Sequence, residues 1–422
     1  MMTFDNPYNY VRAQSLEVFS VEAFALLSLV LLFLLRSDRS LLSLYVLSAP
    51  YTDIVYRLHD IQICDIAAVA LCLSRPAAIL KRAPIFLPMF LILAFGVSVA
   101  VALYQDFFSV LYSVKICLAV FSAMVVADLV RDESVYRRVI GLYRLVVLFS
   151  VFVATLQFVL WVLGYPIAGV FHLNGIVRVK GLAHEPATFA IWLALAIPLV
   201  FHPMQEGRKF DVKLALAIAL GLILTSSATA LVVVIAFAVS YVLLVFRFSV
   251  FEGFRVALLS SALIALASLA FWGPLSGKVY PKIESYVMEM TDSEYAGASG
   301  RGGDRLLWDY LKGDEIIGIG AFRSSRLQSP EEVTDLSTYI SATNFYITTL
   351  VEFGLAVGLI ALFLIACWIL VASRYVGVNN IAWFAGFISW FVAIAGIRVF
   401  AFYQPWLNYS LLISSPDKHR LE

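Results

Sequence analysis

Charged residues are scarce in this chain of 422 residues, and their scarcity excludes most soluble folds. Only 14% of the residues are Asp, Glu, Lys or Arg, whereas a soluble globular protein carries about 25%. Hydrophobic residues instead make up 62% of the chain. Apolar runs recur from one end to the other at roughly the 20-residue length with which a helix crosses a hydrocarbon core of ~30 Å. We therefore expect an all-α, polytopic helical membrane protein.

Cysteine and histidine are also scarce, with four and five residues respectively. The cysteines lie within apolar runs, at positions Cys64, Cys72, Cys117 and Cys367. No CxxC spacing occurs and the histidines are scattered, which argues against a disulfide framework and a structural metal site. No Walker-type phosphate loop is present. We expect no cofactor, no metal and no nucleic-acid partner.

Thirteen apolar segments are candidate membrane spans, of which about 11–13 are expected to cross the bilayer. They are residues 18–35, 41–56, 61–74, 85–103, 107–130, 143–163, 186–203, 212–227, 229–246, 255–272, 342–371, 380–397 and 399–414. Basic residues cluster on alternate connections, as at Arg39, Arg75 and Arg131. Because basic loops stay on the cytoplasmic side, the connections 164–185 and 273–341 are expected on the opposite side.

The long polar connection 273–341 is expected to fold as a subdomain outside the bilayer. A transmembrane bundle over 1–272 precedes it, and C-terminal helices with a cytoplasmic tail over 342–422 follow it. It contains eleven acidic and seven basic residues, which agrees with this position without proving it, since long loops are translocated largely regardless of charge. Helical spacing of apolar residues predicts short helices in it, over 278–290 and 304–311.

A charged cluster ends the shorter outer loop, directly before an apolar span that opens at Pro186. Its members are Arg178, Lys180, His184 and Glu185. Proline at the first helical position makes Glu185 the expected N-cap, beside the positive end of the helix dipole. One interpretation is a capping carboxylate with two bases that reach to the interface. The other, a site that holds an anion, explains better why two bases lie on the side where they are disfavoured.

Two arginines in the long loop are a second candidate for anion binding. Arg301 and Arg305 flank a glycine-rich stretch, and the guanidinium fork matches the geometry of phosphate. Spacing alone, however, favours a flexible exposed loop at this point.

A third cluster lies where the chain re-enters the membrane after the long loop. Its members are Asn344, Tyr346 and Glu352. Glu352 falls about two turns into the predicted span 342–371, and an ionisable residue at such a position indicates either a functional site or a salt bridge inside the bundle. Both interpretations stay open.

Taken in order, these residues resemble the bacterial O-antigen ligase and polymerase superfamily. The matching elements are Arg178, Gly181 and Glu185 with Pro186; Thr225, Ser226 and Ser227; Arg301 or Arg305, Trp308, Gly318 and Gly320; and Asn344, Tyr346, Glu352 and Gly354. They cover roughly residues 170–360. Each motif is short, and their order carries the resemblance.

The resemblance implies a metal-independent glycosyltransferase that uses a glycan linked to undecaprenyl diphosphate as its donor. Such enzymes act on O-antigen or exopolysaccharide repeat units at the periplasmic face of the bacterial inner membrane. In this chain Arg178 and one of Arg305 and Arg301 would hold the diphosphate, and Glu185 would deprotonate the attacking hydroxyl. The residues expected to bind substrate are Lys180, His184, Arg301, Asn344, Tyr346 and Glu352. A chain-length regulator protein is a candidate partner.

One departure from the superfamily pattern distinguishes between its activities. Ligases of this superfamily place a histidine directly before the closing asparagine, where this chain has Thr343. We therefore expect a polymerase of repeat units, with a ligase as the alternative. A polysaccharide transporter or flippase is an alternative of another class. Transporters keep their polar residues near the bilayer midplane at broken helices, whereas the polar clusters here are expected at the membrane edge.

Overall fold

The computed structural model describes residues 37–49, 63–104, 108–165, 170–173, 176–183, 185–201, 210–251, 344–377, 380–394 and 403–414, together with 288, 318 and 321. Most of these residues are helical. The α-helices are α1 Asp38–Ser48, α2 Ile63–Ser74, α3 Pro76–Tyr104, α4 Phe108–Leu129, α5 Glu133–Val162, α6 Pro186–Leu195, α7 Val212–Thr225, α8 Ala228–Phe248, α9 Phe345–Phe353, α10 Leu355–Ser373, α11 Ile381–Ala393 and α12 Tyr403–Ile413. A short 3-10 helix, Ile197–Phe201, follows α6.

Five of the described helices are long and apolar enough to cross a membrane. The apolar stretches are Phe86–Leu103, Tyr112–Leu129, Glu133–Val162, Thr229–Phe248 and Leu355–Ser373. A sixth span results if α2 and the start of α3 count as one, although the chain bends by 85° between them. The predicted all-α, multi-pass membrane architecture is confirmed. The predicted number of 11–13 spans stays a prediction, because spans 18–35 and 255–272 lie outside the described residues.

Helix α5 begins earlier than the sequence predicted, at Glu133 and not at residue 143. Asp132 caps it, because the Asp132 carboxylate accepts a hydrogen bond from the Ser134 amide at 2.8 Å. Arg137 pairs with Glu133 one turn later at 2.6 Å. The 30-residue helix is about 45 Å long, so its polar first turns extend beyond the hydrocarbon core. The hydrophobic pattern marked only the part within lipid.

The predicted span 342–371 is wrong as a single helix, since the structure divides it at Gly354. Gly354 has φ 77° and ψ 161°, a backbone conformation that glycine adopts without the steric cost of a Cβ. Helix α9 ends before it and α10 begins after it. The two helices then pack closely, because a Cβ at Gly358 would lie 2.8 Å from the Cα of Leu350.

The described residues group into two compact units. The first comprises those within 1–79, 121–230 and 406–422, and the second those within 80–120 and 231–405. The predicted boundaries at 272/273 and 341/342 stay a prediction, because residues 288, 318 and 321 alone are described within the long loop.

Side-chain hydrogen bonds to backbone carbonyls join helices in the first unit. Asn408 of α12 donates to the Leu195 carbonyl at the end of α6, at 2.7 Å. Ser410 donates to the Ala123 carbonyl of α4 at 2.9 Å. Such bonds satisfy polar side chains between membrane helices, where water is scarce. They fix α12 against α4 and α6.

An aromatic cluster forms part of the core of the second unit. The Trp368 ring of α10 contacts rings of α3 and α11 edge to face, with centroid separations of 5.1–5.9 Å. The partners are Phe86, Phe387, Trp390 and Phe391. Edge-to-face pairs stabilise by about 0.5–1.5 kcal/mol beyond their buried area. The cluster therefore holds α10 between the two helices.

A two-stranded antiparallel hairpin lies within the connection 164–185, where the sequence predicted no strand. Strand β1 is Val170–Leu173 and strand β2 is Ile176–Val179. Val170 is opposite Val179, and Phe171 is opposite Arg178. The valine and isoleucine residues of these strands favour the extended backbone. The hairpin belongs to the first unit and carries Arg178 at its end.

Candidate functional site

Residues 178–185, called the basic turn from here on, connect β2 to the N-terminus of α6. The Ala183 amide donates to the Lys180 carbonyl at 3.0 Å, which closes a tight turn between strand and helix. Gly181 lies within it with φ 56°, a left-handed conformation that side chains disfavour. A Cβ at Gly181 would also lie 2.8 Å from the Phe189 ring. Both the backbone and the packing of α6 require glycine here.

Arg178 is held at the C-terminal end of α7. Its Nε donates to the Thr225 carbonyl at 2.8 Å, and Thr225 is the last, fully buried residue of that helix. A cation is favourable there, because the carbonyl end of a helix carries partial negative charge. Burial lowers the pKa of the Arg178 guanidinium, and the nearby Glu185 carboxylate raises it. Because an arginine side chain stays protonated in proteins, Arg178 remains a cation.

The terminal nitrogens of Arg178 make no further hydrogen bond or salt bridge with the described residues. Arg178 is half-buried, and a guanidinium in such a position usually uses several of its five donors. The bond from Nε fixes the direction of the guanidinium plane. Two pairs of N–H groups therefore remain for a ligand.

Glu185 is the N-cap of α6 and Pro186 is its first helical residue, as predicted. The carboxylate, however, makes no hydrogen bond to the backbone N–H groups of the helix. It accepts instead from the Thr188 hydroxyl at 3.2 Å. The interpretation of Glu185 as a simple capping carboxylate therefore lacks the bond on which it depends.

Lys180 and His184 are the other two residues of the basic turn that were predicted to bind substrate. Lys180 is half-buried and follows β2 directly. His184 lies outside the described residues, as do Arg301 and Arg305 of the long loop. Their predicted roles stay predictions.

Asn344, Tyr346 and Glu352 belong to the second unit. Asn344 caps α9, where its side-chain oxygen accepts from the amides of Tyr346 at 3.0 Å and Ile347 at 3.3 Å. The Tyr346 hydroxyl donates to the Phe391 carbonyl of α11 at 2.6 Å. These bonds give both residues a structural role in placing α9, and their predicted substrate binding stays a prediction.

Glu352 is buried near the end of α9, with 3% of its surface exposed. The backbone there approaches Gly318 of the long loop so closely that a Cβ at Gly318 would overlap the Glu352 carbonyl and the Gly354 amide nitrogen. Ala321 lies nearby in the sequence, and its amide donates to the Gly96 carbonyl of α3 at 3.0 Å. Gly318 and Ala321 thus lie against α9 and α3 within the second unit.

Three residues around the basic turn were missing from the predicted site. Thr225 had been noted only as part of a motif, although its carbonyl binds Arg178. Thr188 binds Glu185, and a threonine one turn into an apolar helix gives little signal in a sequence. Gln157 contacts Gly181 from α5. The signal in the sequence was the lone side-chain amide of Gln157 near the end of an apolar span, because a polar group in lipid requires a hydrogen-bond partner.

In the basic turn, the Arg178 guanidinium has a fixed orientation and unused N–H donors. The Glu185 carboxylate of the same turn makes no capping bond to its helix. Comparison with known families and proteins adds no assignment to the basic turn. No family model matches the chain, and no curated protein matches it at a significant level.

Proposed function

We propose that this membrane protein polymerises polysaccharide repeat units carried on undecaprenyl diphosphate, at the periplasmic face of the bacterial inner membrane. The observation that carries the proposal is that Arg178 and Glu185 lie in the same turn between β2 and α6, neither of them bound to the other. Arg178 has spare donors and a fixed orientation. Glu185 is close enough to act on the Arg178 charge.

Arg178 is suited to bind the leaving group of this reaction. When a glycan leaves its lipid carrier, negative charge develops on the diphosphate, and a positioned cation stabilises that charge most strongly in the transition state. The planar guanidinium can bind two phosphate oxygens at once. Arg305 or Arg301 would supply a second cation.

Glu185 is the candidate general base. One of its oxygens accepts the Thr188 hydroxyl, and the other has no partner among the described residues. A carboxylate with a free oxygen can accept the proton of an attacking sugar hydroxyl. This transfer needs neither a metal nor a nucleotide.

A ligase that transfers finished glycan to an acceptor would use the same donor and the same two residues. Thr343 favours the polymerase, because it stands at the position where ligases of the superfamily that this chain resembles have histidine.

One structural observation favours transport as a second candidate function. The break at Gly354 lies next to the buried Glu352, and transporters often bind their substrates at broken helices. A transporter or flippase for lipid-linked sugars would use this break and leave the basic turn without a role.

Deletion of the gene separates these functions. Loss of a polymerase leaves single repeat units on the lipid carrier at the outer face of the membrane. Loss of a ligase leaves full-length polymer on the carrier, and loss of a transporter leaves repeat units at the cytoplasmic face, where an added glycosidase does not reach them in intact spheroplasts. The proposal requires the first result, and either of the others would replace it.

A further inference from the structure

Gln157 forms an unusual pair of hydrogen bonds with a single residue of the basic turn. Its Nε2 donates to the Gly181 carbonyl at 3.0 Å, and its Oε1 accepts from the Gly181 amide at 3.0 Å. Gln157 lies in the last two turns of the membrane-spanning helix α5. One side chain thus satisfies both backbone groups of Gly181.

Both partners need this pairing. An amide side chain near the end of a membrane span is costly unless it is hydrogen-bonded. Gly181 cannot pair its backbone as a strand or helix residue would, because it is in the left-handed conformation. Buried backbone groups without partners are rare for the same energetic reason. The match of donor to acceptor on each side therefore fixes Gly181 to α5.

Gly181 lies between Arg178 and Glu185 in the sequence. The spatial position of the Gly181 backbone therefore affects the distance between these two side chains. Arg178 is already held by α7 through Thr225, and Glu185 by its place at the start of α6. Gln157 adds a third attachment, from α5, in the middle of the turn.

We propose that Gln157 is a positioning residue, which sets the distance between Arg178 and Glu185 by fixing the Gly181 backbone. This inference rests on the proposed function for its purpose, but the attachment itself can be measured without any assay of activity. Gln157 touches no reacting group in this proposal and acts through Gly181.

The test compares two substitutions in the full-length protein in detergent. Gln157→Leu removes both hydrogen bonds. Gln157→Glu keeps the shape but replaces the donor with a carboxylate, which repels the Gly181 carbonyl when ionised and donates to it when protonated. Thr155→Val is the matched control, because among the described residues the Thr155 hydroxyl bonds only to the Val151 carbonyl of its own helix.

The first readout is hydrogen exchange of the Gly181 amide, expressed as a protection factor at each pH. Gln157→Leu should lose about tenfold or more of the protection, as expected for two lost hydrogen bonds. Gln157→Glu should keep more of the protection than Gln157→Leu, because a carboxylate oxygen still accepts from the Gly181 amide and only the bond to the Gly181 carbonyl is lost. Wild type and Thr155→Val should keep theirs throughout.

The second readout is binding of inorganic pyrophosphate, with Arg178→Ala as the reference for loss of binding. Gln157→Leu should weaken binding, and binding by Gln157→Glu, measured relative to wild type at the same pH, should recover as the pH falls and the protonated carboxyl group again donates to the Gly181 carbonyl. Full protection of Gly181 in Gln157→Leu would overturn the inference, and so would pyrophosphate binding at wild-type strength despite lost protection. If the wild type binds no pyrophosphate, the proposed function fails, and the exchange data alone decide whether Gln157 fixes the turn.

Discussion

The substitution Gly181→Ala tests the described geometry of the basic turn directly. The new Cβ would stand in a left-handed backbone with φ 56° and within 2.8–3.0 Å of three atoms of the Phe189 ring. Phe189 is 1% exposed in the first unit, so the ring has little room to move away. The substitution therefore combines backbone strain with overpacking.

These two costs can be separated by a matched substitution at Gly164. Gly164 has φ 85°, and no described atom lies within 4 Å of a Cβ built there. Gly164→Ala should therefore cost only the backbone strain, about 1–2 kcal/mol. Gly181→Ala should cost the same plus about 1–3 kcal/mol for the overpacked ring. The expected difference between the two variants is thus about 1–3 kcal/mol.

The assay is unfolding of the detergent-solubilised protein by titration with SDS, followed by far-ultraviolet circular dichroism. A third variant, Gly181→Ala combined with Phe189→Leu, should be less destabilised than the sum of its two single substitutions, because the smaller side chain makes room for the new methyl group. Equal stability of Gly181→Ala and Gly164→Ala would refute the described contact between Gly181 and Phe189. Strict additivity in the double variant would do the same.

Three further substitutions test other parts of the structure. Gly318→Ala should destabilise the protein by about 1–3 kcal/mol or more, because backbone atoms block the new methyl group. Gly377→Ala should be close to neutral in the same SDS titration, because the atom nearest to a Cβ built there is 3.9 Å away. Asn344→Ala removes a helix cap and should cost about 0.5–2 kcal/mol; an unchanged titration would contradict the capping role. Asp211→Asn keeps a good N-cap but removes the ion pair that Asp211 makes at 3.3 Å with Arg144, whose side chain is 13% exposed. The substitution should therefore cost about 1–3 kcal/mol of stability. A double substitution with Arg144→Met should recover part of that loss.

The features that the sequence predicted correctly depend on local chemistry. Low charge and repeated apolar runs predicted the membrane helices, because the bilayer requires nearly continuous hydrophobic stretches. Pro186 predicted the start of α6 and the cap position of Glu185, since proline is suited to the first helical position. The interpretation of the cluster around Arg178 as an anion site, made from its charges, stays a prediction.

The features that the sequence did not predict depend on contacts between distant residues. The break at Gly354 was hidden because apolar residues continue on both sides of it. The requirement for glycine at this position is visible only in the folded structure, where α9 and α10 pack against each other. The pairing of Gln157 with Gly181 spans 24 residues, and no spacing rule connects a glutamine in one helix to a glycine in a later loop. The carboxylate of Glu185 likewise bonds to Thr188 and not to the helix amides, which position alone did not indicate.

The central claim is that Arg178 binds the diphosphate of a lipid-linked donor during polymerisation. The most direct test is the length distribution of surface glycan in cells whose only copy carries Arg178→Ala, beside cells with Arg137→Ala, an exposed arginine on α5. At equal protein abundance, cells with Arg178→Ala should lose long-chain glycan and accumulate single lipid-linked repeats. The rate of polymerisation should fall by a factor on the order of a hundred or more. Cells with Arg137→Ala should resemble wild type. A normal length distribution in the Arg178→Ala cells would contradict the central claim.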